Sequence, residues 1–331
     1  MRSRWIGVRS VSAIGLGCMN LSHAYGAPPS RDQARRLILR AVDLGVTHLD
    51  TAALYGFGAN EELLGEVLPS LSGRVHVATK CGMRGVAGRR VIDGRPETLR
   101  ATVEESLRRL RIDSIDLLYL HRWDKAVPIE DSVGELARMV VAGKVQGIGL
   151  SEVSVETLRR AHGVCPLVAV QSEYSLWTRN PELGILDECL RLGIAFVAFS
   201  PLGRGFLAAR LSDPSELAEG DLRRSMPRFQ KPHWEANRPL LESWSALARE
   251  TGCTPAQLAL AWLLHKAPNI VPIPGTTSLA HLEENVAASD LRLADTVVRR
   301  MEGLLNEKTV SGPRYPASTL AEIDSLEFAA H

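Results

Sequence analysis

What this sequence lacks excludes whole classes of function. Its 39 Lys and Arg against 38 Asp and Glu leave a formal net charge of +1, so no global field draws the chain to nucleic acid or to an anionic membrane. Its densest basic run, Arg108, Arg109 and Arg111, reads as a solvated helix end. The five cysteines (18, 81, 165, 189 and 253) include no CxxC pair, which argues against a disulfide framework or a thiolate zinc site and fits a reducing cytosol. His233 and His265 have no partners at metal-ligand spacing, so no metal is assigned. The apolar start after Arg2 and Arg4 is broken by Arg9, Ser10 and Ser12, a poor signal peptide, and no run is long enough to span a bilayer. The expectation is a soluble, cytoplasmic protein without membrane or nucleic-acid partners. Oligomeric state is not readable.

Also missing is a composition break that would mark a domain boundary. With 45 % hydrophobic and 23 % charged residues the chain is ordinary for a soluble protein, and its 331 residues suit two average domains or one (β/α)8 barrel. Short apolar, β-branched runs predict strands over 13–18, 46–50, 75–80, 115–121, 147–151, 167–171, 194–200 and 270–273, with a small hairpin at 4–12. Amphipathic stretches with caps and first-turn prolines predict helices over 31–44, 60–68, 96–110, 129–141, 153–162, 181–192, 239–251, 255–266 and 279–287. A further helix is expected over 295–305, a long polar loop over 201–239, and a tail at 306–331 that either covers the barrel mouth or is flexible. Eight strands each followed by a helix favour one α/β domain over residues 1–331, a closed (β/α)8 TIM-type barrel, over an open doubly wound sheet. A run 15–20 starts like a GxGxxG fingerprint but ends in Asn20, so it reads as barrel strand and rim.

In such barrels the chemistry lies at the C-terminal strand ends. Asp50, Lys80, His121, Ser151, Gln171 and Ser200 each end a predicted strand, and Tyr55 follows Asp50 in a loop. Singly, Asp50 could cap a helix and Tyr55 could pack. Six polar strand ends on one rim are hard to explain as caps. A lysine ammonium beside a tyrosine stabilises its phenolate, and a carboxylate such as Asp50 would hold that lysine charged. The set supplies a tuned proton, which a carbonyl needs as a hydride arrives at its carbon.

The stretches LDTAALYG (49–56), VATKCG (77–82), IDLLYLHRWD (115–124), IGLSEVS (148–154), AVQSEYSLW (169–177), FSPLGRGFL (199–207) and IPGTTSLAHLEEN (273–285) carry a resemblance to the aldo-keto reductases along nearly the whole chain. Each alone is weak, and together they are specific. The resemblance implies a catalytic tetrad of Asp50, Tyr55, Lys80 and His121, with Tyr55 as general acid in reduction and base in oxidation, and His121 orienting the carbonyl. It implies NADPH/NADP+ as cofactor: Ser151 and Gln171 on the carboxamide, Phe199 near the ring, and Ser200, Pro201, Leu202, Gly203, Arg204 and Gly205 around the pyrophosphate. Gly275, Thr276, Thr277 and Ser278 would receive the 2′-phosphate, and Glu284 and Asn285 would face the adenine. Met19 and His281 are further cofactor-side candidates.

Two departures stand out. Many members have Ser-Asn where this chain has Ser151-Glu152, which alters the carboxamide contacts. Many also carry a Lys or Arg near Gly275, Ser278 or His281; here that charge must come from Arg204, Arg210 or another loop residue, and NADH is a second cofactor candidate. Trp123, Trp177, Tyr25 and Phe57 are candidates for an apolar substrate pocket, and His48 reads as a core histidine. The expected activity is NADPH-preferring reduction of aldehydes and ketones, small-molecule substrates. The alternatives are alcohol oxidation, as in a pyridoxine- or sugar-alcohol-type dehydrogenase, and a cofactor-binding regulatory subunit like the channel β-subunits.

Overall fold

Apolar runs too short for helices become the staves of a barrel. A computed structural model describes residues 1–86 and 88–328. Strands β1 (Ser3–Ile6) and β2 (Arg9–Ser12) form a hairpin, followed by β3 (Leu16–Gly17), helix α1 (Arg31–Asp43), β4 (His48–Asp50) and α2 (Ala59–Val67). Next come β5 (His76–Cys81), a second hairpin of β6 (Met83–Val86) and β7 (Arg89–Ile92), α3 (Pro96–Leu110), β8 (Leu117–Leu120) and α4 (Ile129–Val141). The chain continues through β9 (Ile148–Ser151), α5 (Val155–Val164), β10 (Ala169–Glu173), α6 (Ile185–Leu192) and β11 (Ala195–Phe199). It ends with α7 (His233–Glu250), α8 (Pro255–Lys266), β12 (Ile270–Pro272), α9 (Leu279–Ala287), α10 (Asp295–Leu304) and α11 (Ala317–Leu320).

The eight parallel strands run in the order β3-β4-β5-β8-β9-β10-β11-β12. The edges meet: Gly15 N–H donates to Pro272 O at 3.0 Å and Gly17 N–H to Pro274 O at 3.2 Å. A Cβ at Gly17 would lie 2.7 Å from Ile273 O, so closure there needs glycine. The expected (β/α)8 architecture is the one found, with the N-terminal hairpin and the extra helix α10. Ala78, Leu117, Val197 and Val271 fill the barrel interior with Ile6 and Val11 of the hairpin, while the helices cover the outer faces of the strands with their apolar stripes.

Two expectations need correction. The helix expected at 239–251 begins at His233, with Pro239 inside it. Proline favours a first turn because inside a helix it removes a ladder bond and crowds the carbonyl four residues back; here buried Trp234 and Asn237, the latter bonded to Ser311 at 2.9 and 2.8 Å, anchor the turn that precedes Pro239. The hairpin β6–β7 is not among the expected elements, because its mostly exposed strands, MRGV with Gly85 and RRVI, show no apolar alternation.

His48 and His76 face each other across β4 and β5, Nδ1 to Nδ1 at 3.0 Å. Burial holds His48 well below the usual imidazole range, and burial brings His76 from 6.5 down to about 4. Both rings are therefore neutral in the fold at pH 7, and the unfolded chain binds more protons between about pH 4 and 6.5. Stability should fall as pH drops through that window, by roughly 1.4 kcal/mol per pH unit for each proton taken up only on unfolding. Urea midpoints at pH 7 and pH 5 should show this loss, and H76N should shrink it; an equal loss in H76N would contradict the assignment.

Candidate active site

Adjacency of β4 and β5 creates the centre of the site. Asp50 ends β4 and Lys80 lies near the end of β5, both almost wholly excluded from solvent. Three N–H donors on an ammonium need three acceptors. Lys80 Nζ bonds the Asp50 carboxylate Oδ1, Thr51 O at 2.8 Å and the Tyr55 hydroxyl at 3.4 Å. Gln171 Nε2 donates to the other Asp50 oxygen at 2.7 Å. The Tyr55 and His121 rings meet edge-on with centroids 5.9 Å apart. Asp50, Tyr55, Lys80 and His121 thus converge from separate parts of the chain.

The turn that carries Tyr55 is unusual backbone. Gly56, Phe57 and Gly58 all have positive φ (57°, 52° and 100°), and a side chain at Gly58 would strike the Arg109 guanidinium at 2.8 Å. Buried Asn60 braces the turn, accepting from Thr51 Oγ1 at 2.6 Å and donating to Cys18 O and Ser22 Oγ at 2.8 Å each.

Burial sets the protonation states here. It raises Tyr55 above the ordinary phenol value, with Lys80 pulling the other way. The expected net lowering by Lys80 is thus outweighed in this structure by desolvation. Burial works against the Lys80 ammonium, but Asp50 and Tyr55 more than offset it, and Lys80 titrates above its usual range. Burial raises the Asp50 carboxyl, opposed by Lys80 and Gln171. Burial, with Arg122, Lys80 and Arg90 nearby, pushes His121 well below the imidazole range, so its ring is neutral. At pH 7 the site holds a protonated phenol and a neutral imidazole over a buried ammonium.

A cavity of about 1040 Å³ opens above them at the C-terminal strand ends. Met19, Tyr25, Phe57, Ser151, Gln171, Phe199, Ser200, Pro201, Leu202, Arg204 and Gly205 line it. Arg210, Gly275, Thr276, Thr277, His281, Glu284 and Asn285 line it as well. Ser278 does not line it; its Oγ caps α9 by accepting from His281 N–H at 3.4 Å. Gly203 also lies behind the wall, where a Cβ would press on Trp177 at 3.0 Å.

Trp123 and Trp177 are corrected. Neither lines the cavity. Trp123 donates from Nε1 to Val127 O at 2.9 Å, and Trp177 is buried in a stack on Phe206, centroids 4.1 Å apart. Arg204 is corrected as a source of phosphate-binding charge, being buried against Glu173 at 2.6 Å and Tyr315 Oη at 2.9 Å. Residues not singled out from the sequence also line the cavity: Asn20, His23, Arg90, Arg122, Arg223 and Thr319. Only their place near strand ends or in rim loops could have signalled them.

Glu152 turns out to be structural. It adopts positive φ (56°), a conformation asparagine tolerates better than glutamate. Its carboxylate accepts from Arg314 at 3.1 and 2.9 Å, Ser325 Oγ at 2.5 Å and Glu173 N–H at 2.8 Å. Arg314 also meets Glu327 at 2.6 Å. This buried cluster ties the segment 306–328 across the barrel, where Tyr315, Pro316 and Thr319 form part of the cavity wall.

The fit of a large polar occupant can be judged from the wall itself. Asn20 Oδ1, His23 Nδ1 and His121 Nδ1 are buried side-chain atoms on this cavity with no hydrogen-bond partner among the described residues. Ser200, Gly203, Arg204 and Gly205 all have positive φ, which curves the loop, and the N-terminus of α9 opens nearby. An extended dinucleotide fits such a cavity.

The family model described as Aldo/keto reductase family matches residues 13–306. The chain belongs to the aldo/keto reductase family. Among solved structures, the glycerol dehydrogenase AKR11B4 from Gluconobacter oxydans is 29 % identical with a TM-score of 0.86, over 95 % of this chain and 98 % of that one. The aldo-keto reductase AKR11C1 from Bacillus halodurans is 25 % identical with a TM-score of 0.77, over 92 % and 97 %. A thermostable aldo-keto reductase, Tm1743, solved with the inhibitor epalrestat, is 28 % identical with a TM-score of 0.72, over 92 % and 100 %. This aldo/keto reductase is therefore an NAD(P)H-dependent oxidoreductase of carbonyl and alcohol groups on small molecules. No helix among the described residues is long and apolar enough to cross a membrane.

Replacing Glu152 by the asparagine common in the family relieves its backbone but leaves Arg314 buried with one carboxylate fewer. E152N should lose about 3 kcal/mol of stability in urea titration, and E152N/R314M should recover much of that. Simple additivity of the two losses would show that the pair is not coupled.

Proposed function

We propose that this aldo/keto reductase reduces aldehydes and ketones to alcohols with NADPH, reversibly, with Tyr55 as the proton donor. The observation that carries the reading is the Lys80 ammonium, held by Asp50 and within 3.4 Å of the Tyr55 hydroxyl. Ser151, Gln171 and Phe199 would hold the nicotinamide end, the loop 200–205 the pyrophosphate, and Thr276, Thr277 and the N-terminus of α9 the 2′-phosphate. Arg210 would add charge there, although it now pairs with Glu284 at 2.8 Å. Glu284 and Asn285 would face the adenine. When bound, the dinucleotide supplies the hydride in reduction and accepts it in oxidation.

The protein's part is to deliver a proton and to polarise the carbonyl. Burial keeps Tyr55 protonated at neutral pH, and Lys80 stabilises the phenolate that forms as the proton leaves. Neutral His121, with one ring N–H, donates to the carbonyl oxygen without competing as an acid. In the reverse direction the phenolate takes the alcohol proton. Likeness to a glycerol dehydrogenase supports alcohol oxidation as a second reading of the same site. A regulatory-subunit role shares the barrel but makes no use of this proton donor. The five free thiols favour the reducing cytoplasm as its location.

Turnover of 4-nitrobenzaldehyde should be faster with NADPH than with NADH at equal concentration, and Y55F should lose at least about 100-fold in kcat with either. Dinucleotide binding without turnover on a broad panel of aldehydes, ketones and alcohols would favour the subunit instead.

A further inference from the structure

The arginines around the cavity are not alike. On the segment that carries Arg204 and Arg210, which Arg223 reaches by donating to Arg204 O at 3.3 Å, each is matched to a carboxylate. Arg204 pairs with Glu173 at 2.6 Å, Arg210 with Glu284 at 2.8 Å and Arg223 with Asp221 at 2.7 Å. At the catalytic end Arg90 reaches Glu322 on the tail. Arg122 is the exception. It follows His121 directly, lines the cavity, and has no carboxylate partner among the described residues. One nitrogen, Nη1, donates to His121 O at 2.6 Å and to Ser151 Oγ at 3.2 Å, which fixes the guanidinium beside the tetrad. Among the described residues no protein acceptor meets Nε or Nη2.

The two carboxylates on the cavity wall, Asp50 and Glu284, are both already paired with cations. Behind the wall the buried Glu152 feels the Arg122 charge, but its oxygens are bonded to Arg314, Ser325 and the Glu173 amide, so the catalytic end keeps one positive charge with no hydrogen-bonded carboxylate next to the reacting groups. A fixed guanidinium with free donors in a plane matches a carboxylate better than a hydroxyl or an apolar group.

We propose that Arg122 is a specificity-determining residue that receives a carboxylate on the substrate, so that the enzyme favours carbonyl compounds bearing an acid group over neutral ones of the same shape. This rests on the oxidoreductase reading of the site. It goes beyond that reading by naming the substrate class. Arg122 touches the substrate in this account and takes no part in moving the proton.

The test compares 4-carboxybenzaldehyde with 4-nitrobenzaldehyde and 3-carboxybenzaldehyde with 3-nitrobenzaldehyde in wild type, R122M and R122K. Wild type should favour at least one carboxylated member by about 10- to 100-fold in kcat/KM, and R122M should bring that ratio close to one. The ratio cancels any loss that both substrates share, which a merely structural role would produce. R122K should restore part of the preference, since it keeps the charge and loses the planar fork. A second readout needs no turnover: calorimetric binding of benzoate and benzamide to the protein saturated with NADP+. Benzoate should bind wild type more tightly than benzamide, weaken with salt, and lose its advantage in R122M. Turnover of neutral aldehydes with no acid preference, and equal binding of benzoate and benzamide, would overturn the assignment while leaving the reductase reading intact. Equal losses on both substrates together with weakened NADP+ binding in R122M would also overturn it, assigning Arg122 to the dinucleotide. Failure to turn over any carbonyl would instead overturn the reductase reading, and the benzoate comparison would then decide on Arg122 alone.

Discussion

An ammonium taken out of water is the constraint on which this site depends. Lys80 is 1 % exposed, and an unpaired buried charge would cost several kcal/mol or simply lose its proton. It stays charged because three oxygens surround it, from Asp50, Thr51 and Tyr55. That requirement fixes much else. Asp50 must sit at the end of the neighbouring strand, Gln171 must cross the barrel to hold its second oxygen, and the chain after Asp50 must turn back sharply to bring Tyr55 within reach. Barrel closure through Gly15 and Gly17 brings the remaining wall around to face them.

A second buried ionic cluster, built on Glu152 and Arg314, does a different job. It holds no group near the reacting centre in place directly. Instead it lays the tail over the barrel, so that Tyr315, Pro316 and Thr319 become cavity wall. Here the chain departs from the common Ser-Asn pattern, and the left-handed backbone at Glu152 is retained because several partners hold the carboxylate in place. The arrangement leaves most arginines around the cavity already neutralised. An arginine without a carboxylate is then informative in a way that an arginine-rich lining would not be.

Local signals explain which parts of this structure could be read from the residues. Helices α3, α4, α8 and α9 have the bounds expected, helped by a first-turn proline at the start of α3 and α8, a Ser278 cap at the start of α9 and Gly143 just past the end of α4. The strand-end positions of Asp50 and Ser151, and of Lys80 one residue short of its strand's end, followed from the apolar runs before them, whereas Gln171 lies inside β10, two residues before its end. Side-chain direction did not follow. Trp123 and Trp177 lie near the rim in sequence, yet packing against α4-side backbone and Phe206 turns them away. Partners distant in sequence were equally out of reach: nothing around Arg204 announces Glu173, and nothing around Glu152 announces Arg314, 162 residues later. Nor could spacing show that burial would outweigh Lys80 in setting the Tyr55 proton.

The central claim is that a buried lysine holds a half-buried phenol closer to ionisation than its surroundings alone would allow. The direct measurement is the titration of Tyr55 itself, followed by nuclear magnetic resonance with ring-labelled tyrosine, wild type against K80M, with Y55F identifying the signal. The account predicts that Tyr55 titrates above the ordinary phenol value of about 10 in wild type and higher still in K80M. An unchanged or lowered value in K80M would contradict it.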